Sequence, residues 1–112
     1  MGRPLVATMC ELPGYRVVEI LGVISASVVR ARHIGRDIMA TIRGVVGGEI
    51  KEYSELLADA RREALERLAR EAESMGANAV ICVRLATSAI ASMMAEVLAY
   101  GTAVVVEKVG EP

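Results

Sequence analysis

The clearest pattern in the sequence is a helical repeat of apolar residues between Glu49 and Met75. Apolar side chains recur there at steps of three and four residues, which is the spacing of one buried helical face. The opposite face is charged, and Glu63 with Arg67 forms an i,i+4 pair in the favourable order. Gly76 follows the last apolar position, where a helix often ends in a residue that tolerates positive φ. The pattern predicts one long amphipathic helix packed on an apolar layer.

Apolar stretches on both sides of this helix predict strands. The first is expected over residues 15–29, with apolar positions on both faces and Gly22 marking a bulge or a close backbone approach. Two more strands are expected over residues 77–88 and 96–108, and the segment 89–95 between them forms an unusually apolar hairpin connection.

The remaining segments are shorter. Leu5–Met9 is a candidate edge strand within an otherwise irregular N-terminal segment, residues 1–13, and residues 30–48 hold a basic link and a short amphipathic helix. The order β, short α, long α, β, β predicts an α+β fold: a two-layer β-α-β-β subunit with an antiparallel sheet and one long helix. We expect a single domain over residues 1–112, with its core at about residues 14–109.

Composition then restricts the partners. The net charge is −1 and the chain has no Trp or Phe, so neither a basic field nor an aromatic platform for nucleic acid is present. No apolar run is long enough to span a bilayer, so no membrane partner is expected. Charged residues concentrate between Arg30 and Glu73, which leaves both strand regions almost uncharged. One helix cannot cover that much apolar strand surface, and this predicts a homo-oligomer.

The two cysteines, Cys10 and Cys82, are far apart in the sequence and belong to no CxxC array. Free thiols in a reducing cytoplasm are the expectation, and a structural disulfide is the less favoured alternative. The apolar stretch before Cys10 is too short for a secretory signal, which also predicts a cytoplasmic location.

Several short motifs occur in a combination that is specific as a set: Val17-Val18-Glu19, Gly22-Val23, Arg36-Asp37, Ile42-Arg43, Gly47-Gly48, Tyr53, Gly76-Ala77-Asn78-Ala79-Val80 and Gly101-Thr102-Ala103-Val104. Together they resemble the YbjQ-like family, whose label indicates heavy-metal binding and which has no established reaction. The resemblance spans about residues 14–109 and implies a dodecin-subunit-like fold in a cyclic homo-oligomer, a ring-shaped pentamer. The apolar tip at residues 89–94 departs from the more polar tip of that family, so no tip-borne function is inferred.

The most distinctive polar set is Arg36, Asp37 and Arg43, which match family positions together with Tyr53. One interpretation is a salt bridge, either between subunits or within the chain, with capping duties. The other is a site for an anion or small ligand at a subunit junction, because arginine offers fixed, planar donors.

Candidate metal ligands are Cys10, His33 and Cys82, but none of them has the local ligand spacing of a metal site. We therefore predict no metal site within one subunit. The single histidine also leaves no basis for a Ser-His-Asp set.

These observations favour a non-enzymatic homo-oligomeric binding or scaffold protein, with a small ligand or metal ion bound at subunit junctions. Two alternatives remain open: an enzyme with a composite active site at the interface, and a heavy-metal-binding or trafficking protein. The sequence identifies no cofactor.

Overall fold

The structure, a computed structural model, describes residues 2–31 and 46–110. Its elements are β1 (Leu5–Val6), β2 (Tyr15–Ala31), α1 (Val46–Ser74), β3 (Ala79–Ala91) and β4 (Met94–Lys108). The predicted α+β class, the long helix and the three long strands are confirmed. The predicted short second helix falls mostly on residues 32–45, which lie outside the described residues.

The four strands form one sheet in the order β1-β3-β4-β2. The pairs β2–β4 and β3–β4 are antiparallel, as predicted. The prediction of a purely antiparallel sheet is wrong, because β1 pairs with β3 in parallel through Leu5 with Ala79 and Val6 with Val80. A two-residue strand is too short to show a pattern that would give its direction, so the mixed character of the sheet emerges only in the structure.

The long helix α1 packs on one face of the sheet and forms the main core with it. Small residues on both surfaces allow close packing: Ala60, Ala64, Leu68 and Ala72 from α1, with Val97, Ala99 and Ala103 from β4. The helix ends as its sequence predicts, with Gly76 at φ 88°. The amide groups of Gly76 and Ala77 donate to the carbonyls of Glu73 and Ala72, which is a Schellman cap.

Two glycines shape the strands. Gly22 has φ 126° and adjoins a shift in the register of β2 against β4, so the predicted bulge is confirmed. Gly101 allows a close approach, because a Cβ there would lie 2.9 Å from a methyl group of Val83 and 3.0 Å from the carbonyl oxygen of Ile81.

The subunit is elongated, with a radius of gyration of 18.2 Å and extents of 65 × 25 × 22 Å. A compact chain of this length would have a radius of gyration of about 13 Å. The excess comes from the long strands, since the 17 residues of β2 alone span roughly 58 Å. A single α1 cannot shield both faces of such a sheet.

Candidate functional site

The first candidate surface is the side of the sheet opposite α1, which we call the open face. Val97, Ala99 and Ala103 of β4 pack against the helix, and alternate residues of a strand point to opposite sides. The intervening residues of β4 therefore line the open face: Met94, Glu96, Leu98, Tyr100 and Thr102.

The neighbouring strand β2 adds large apolar side chains to the open face. Paired residues of an antiparallel ladder share a face, and Val23 and Val29 pair with Thr102 and Glu96. Val23 is 79% exposed and Val29 is 53% exposed, while Ile20, also on this side, is 72% exposed. The sequence predicted burial on both sides of β2. Within the described chain only the side towards α1 is buried.

The N-terminal segment, residues 7–14, covers one end of the open face. Leu12 packs against Ala79, Val104 and Val106, which form a second, smaller core. The segment also follows the outer edge of β3, where the Ala7 amide donates to the Val80 carbonyl at 3.0 Å. The open face is therefore shielded at this end and exposed along the rest of β2.

The second candidate site is the cysteine pair that joins this segment to β3. Cys10 and Cys82 are bonded as a disulfide, with their Cα atoms 4.5 Å apart. The expectation of free thiols is wrong, because the course of residues 7–10 along β3 brings two cysteines together that are 72 positions apart in the sequence. Cys10 is exposed and Cys82 is half-buried.

The backbone around Cys82 departs from regular strand geometry. Cys82 has φ 56°, which is uncommon for a residue other than glycine, and the register of β3 against β4 shifts between Ile81 and Arg84. Its amide group leaves the ladder with β4 and donates to the carbonyl of Met9 at 2.9 Å. The bulge thus presents Cys82 to the N-terminal segment.

A third cluster is an ion-pair network on α1 around Glu63. Its carboxylate lies 2.9 Å from Arg67, 3.6 Å from Arg70 and 4.0 Å from Arg30 of β2. The predicted pair of Glu63 with Arg67 is confirmed. Exposed ion pairs of this kind contribute at most about 1 kcal/mol each to the free energy of unfolding. We therefore interpret the cluster as a solvated surface that connects β2 to α1.

The predicted site residues fall into two groups. Tyr53 lies in α1 and is half-buried. Arg36, Asp37, Arg43 and His33 lie outside the described residues, so their proposed site stays a prediction. Across the described ranges, no three His, Cys, Asp or Glu side chains form a group that could hold a metal ion.

Sequence reasoning missed two side chains that bond to the backbone of a distant segment. Arg84 donates to the carbonyl of Thr8 at 2.9 Å, which ties the same segment to β3. The side-chain amide of Asn78 donates to the Val106 carbonyl at 2.9 Å, and its oxygen accepts from the Val106 amide at 2.8 Å. The only sequence signal for either was the occurrence of Asn78 in a family motif, which gives no role. Among the described residues, no helix is long and apolar enough to cross a membrane.

Comparison with known proteins gives close relatives over nearly the full length. The chain is 58% identical over 105 residues to a UPF0145 protein of Pyrococcus horikoshii, covering 94% of this chain and 90% of the relative. It is 56% identical over 104 residues to a UPF0145 protein of Pyrococcus abyssi, covering 93% and 91%. A UPF0145 protein of Thermotoga maritima is 54% identical over 105 residues, covering 94% and 99%.

A solved structure shares the fold. The crystal structure of a protein of unknown function from Pediococcus pentosaceus, assigned to the DUF74 family, superposes with a TM-score of 0.61 at 16% identity, covering 93% of this chain and 98% of that one. The YbjQ family, described as "Putative heavy-metal-binding", matches residues 5–107. The resemblance drawn from the sequence motifs is thus confirmed, and the chain belongs to the YbjQ family.

Proposed function

We propose that this protein is a non-enzymatic homo-oligomeric binding or scaffold protein whose copies associate through the open face. The observation that carries the proposal is the exposure of Ile20 and Val23, at 72% and 79%, on the face of the sheet opposite α1. Large apolar side chains that stay exposed together mark an interaction surface.

The size of the open face suits a second copy of the chain. Residues 20–31 of β2 rise about 3.4 Å each and lie beside two further strands, with about 4.8 Å between neighbouring strands. This part of the open face therefore has an area of roughly 600 Å². A stable interface buries about 800 Å² on each partner. The face carries few charges, chiefly Glu96 and Arg84, so an apolar partner surface fits it better than a charged one.

We further propose that the copies form a ring, and the two edges of the sheet support this. Among residues 2–31 and 46–110, β2 pairs only with β4, so it is an edge strand and its outer edge offers a pairing surface to a neighbouring copy. The opposite edge of the sheet, at β3, is occupied in part by β1 and the N-terminal segment. A contact between two unlike edges is head-to-tail, and such a contact generates a ring when its rotation closes. We take five copies in a cytoplasmic ring as the expected state.

The ligand site of this assembly is proposed at the subunit junctions, with Arg36, Asp37, Arg43 and Tyr53 as its residues. Substitution Arg43→Ala separates a ligand role from an interface role. Loss of a retained small molecule from an intact ring supports the ligand site, whereas dissociation of a ring that carries no small molecule rejects it.

Heavy-metal binding is the second candidate function. It is favoured by the description of the family and by the proximity of two thiol-bearing residues, Cys10 and Cys82, which are soft metal ligands when reduced. The disulfide form offers no thiolate, so a metal-binding role requires the reduced state.

Native mass spectrometry of the untagged protein tests the association directly. We expect the wild type to form one closed oligomer and Val23→Lys to dissociate it, because a lysine charge would be buried at every junction. The matched control is Val109→Lys, which places the same charge at a residue that is 51% exposed beyond the end of β4. A folded wild-type monomer at micromolar concentration would refute the proposal.

A further inference from the structure

The two cysteines lie in a geometry that suits shared binding of one ion. Their Cα atoms are 4.5 Å apart. Two sulfur atoms that each lie about 2.3 Å from one ion are at most about 4.6 Å from each other. Rotation about the two Cα–Cβ bonds moves the Sγ atoms apart once the disulfide is broken and can supply that separation. The backbone therefore needs no large movement to exchange a disulfide for a bridging ion.

Hydrogen bonds hold the two cysteines next to each other in addition to the disulfide. The amide of Cys82 donates to the Met9 carbonyl at 2.9 Å, and the amide of Val83 donates to the Ala7 carbonyl at 3.0 Å. The Arg84 guanidinium adds a hydrogen bond of 2.9 Å to the Thr8 carbonyl. These hydrogen bonds join the N-terminal segment to β3 next to the cysteine pair. Reduction of the disulfide therefore leaves the two thiols side by side.

Access to the pair is open from solvent. Cys10 is exposed and Cys82 is half-buried, so a dissolved reductant and a metal ion can both reach the sulfur atoms. The described residues add no third His, Cys, Asp or Glu to form a larger ligand group. A site of two thiolates suits soft ions of low coordination number, whereas structural Zn²⁺ takes four ligands.

We propose that Cys10 and Cys82, once reduced, form a two-thiolate site for one soft, closed-shell ion of the Ag⁺, Cu⁺ or Hg²⁺ class. The proposal rests on the second candidate function, heavy-metal binding, and deepens it by naming two ligands within one chain, the class of ion and the redox state that binds it. It also goes beyond the family description, which assigns no residues.

The redox step is a thiol–disulfide exchange with a dithiol reductant. The reductant supplies two electrons and two protons, the S–S bond breaks, Cys10 and Cys82 become thiols, and the dithiol becomes a disulfide. Metal binding then releases the two thiol protons and forms two metal–sulfur bonds without a change in the oxidation state of the ion. The oxidised protein, in which both sulfur atoms belong to the disulfide, therefore does not bind the ion.

The test uses Ag⁺ as the probe and untagged full-length protein. Protein is reduced, freed of reductant without air, offered Ag⁺ or Zn²⁺ in separate samples, and examined by native mass spectrometry. We expect reduced wild type to retain one Ag⁺ per chain and the oxidised protein to retain none. We expect Zn²⁺ to be retained at least about 100-fold more weakly, because it lacks two of its four ligands.

Two variants locate the site. Cys10→Ser leaves a single thiol, and the double variant Cys10→Ser with Ser54→Cys restores two thiols per chain but places one on exposed α1. Both should bind Ag⁺ at least about 100-fold more weakly than wild type, because they lose the second, adjacent ligand. Circular dichroism confirms that each variant is folded. Alkylation of reduced wild type provides a second readout, since bound Ag⁺ should protect both thiols.

Equal Ag⁺ retention by reduced wild type and the double variant would overturn the proposal, as would retention by the oxidised form. Alkylation of both thiols at the same rate with and without Ag⁺ would overturn it as well. The oligomer mass is read in the same spectra, so a failed metal site and a failed assembly give separate signals.

Discussion

The bond between Cys10 and Cys82 makes a prediction about stability that can be worked out from the chain itself. It joins positions separated by 72 residues. Closing a loop of that length lowers the entropy of the unfolded chain by roughly 15 cal/mol/K in the chain-entropy account, which is about 4 kcal/mol at 25 °C. Typical domains unfold with about 5–15 kcal/mol, so the disulfide supplies a large fraction of the total.

Reduction of the disulfide should therefore lower the free energy of unfolding by about 4 kcal/mol. Cys10→Ser should give the same loss, because Cys10 is exposed and its replacement removes little packing. The assay is guanidinium unfolding followed by far-ultraviolet circular dichroism, which reports the long α1. Protein concentration is held constant throughout, since association itself adds stability.

The control for the reductant is Cys10→Ser measured with and without it, where no change is expected because no disulfide remains. If oxidised and reduced wild type unfold with free energies equal within about 1 kcal/mol, the loop argument is refuted. If Cys10→Ser is far less stable than reduced wild type, the loss comes from the side chain and not from the cross-link.

Substitutions at Gly101, Asn78 and Leu68 test the packing and the hydrogen bonds of the fold. Gly101→Ala should cost about 1–3 kcal/mol in thermal or guanidinium unfolding, because its Cβ would lie 2.9 Å from a Val83 methyl group. Gly110→Ala, where the added Cβ meets nothing within 4 Å, should be nearly neutral. Asn78→Ala should cost about 2–3 kcal/mol by leaving a donor and an acceptor of the β4 backbone unpaired, and Asn78→Asp, which cannot donate, should restore only part of that loss. Leu68→Ala, at a fully buried side chain, should cost about 2–5 kcal/mol, and an unchanged unfolding midpoint would contradict its place in the core.

The features foreseen from the sequence are those governed by local patterns. The helix expected over Glu49–Met75 is found at Val46–Ser74, because its apolar repeat and its capping glycine are both encoded within a few residues. The bulge at Gly22 was foreseen for the same reason: a glycine inside an apolar strand is itself the signal. Such features need no knowledge of the partner strand.

The features missed depend on contacts between distant parts of the chain. No local pattern indicates that Cys10 meets Cys82, since the pairing follows from the parallel course of the N-terminal segment along β3. The exposure of Val23 was also missed, because alternation along a strand shows which residues share a face but not whether that face is covered.

The N-terminal segment explains why the open face is exposed along only part of its length. Leu12 shields Val104 and Val106 at one end, whereas Val23 and Val29 lie further along β2 and have no such cover from the residues that the structure describes. Because main-chain hydrogen bonds hold the segment to β3 alongside the disulfide, reduction frees two thiols without exposing more apolar surface. Self-association and metal binding should therefore respond to different changes: the first to a charge at Val23, the second to the redox state of the cysteine pair.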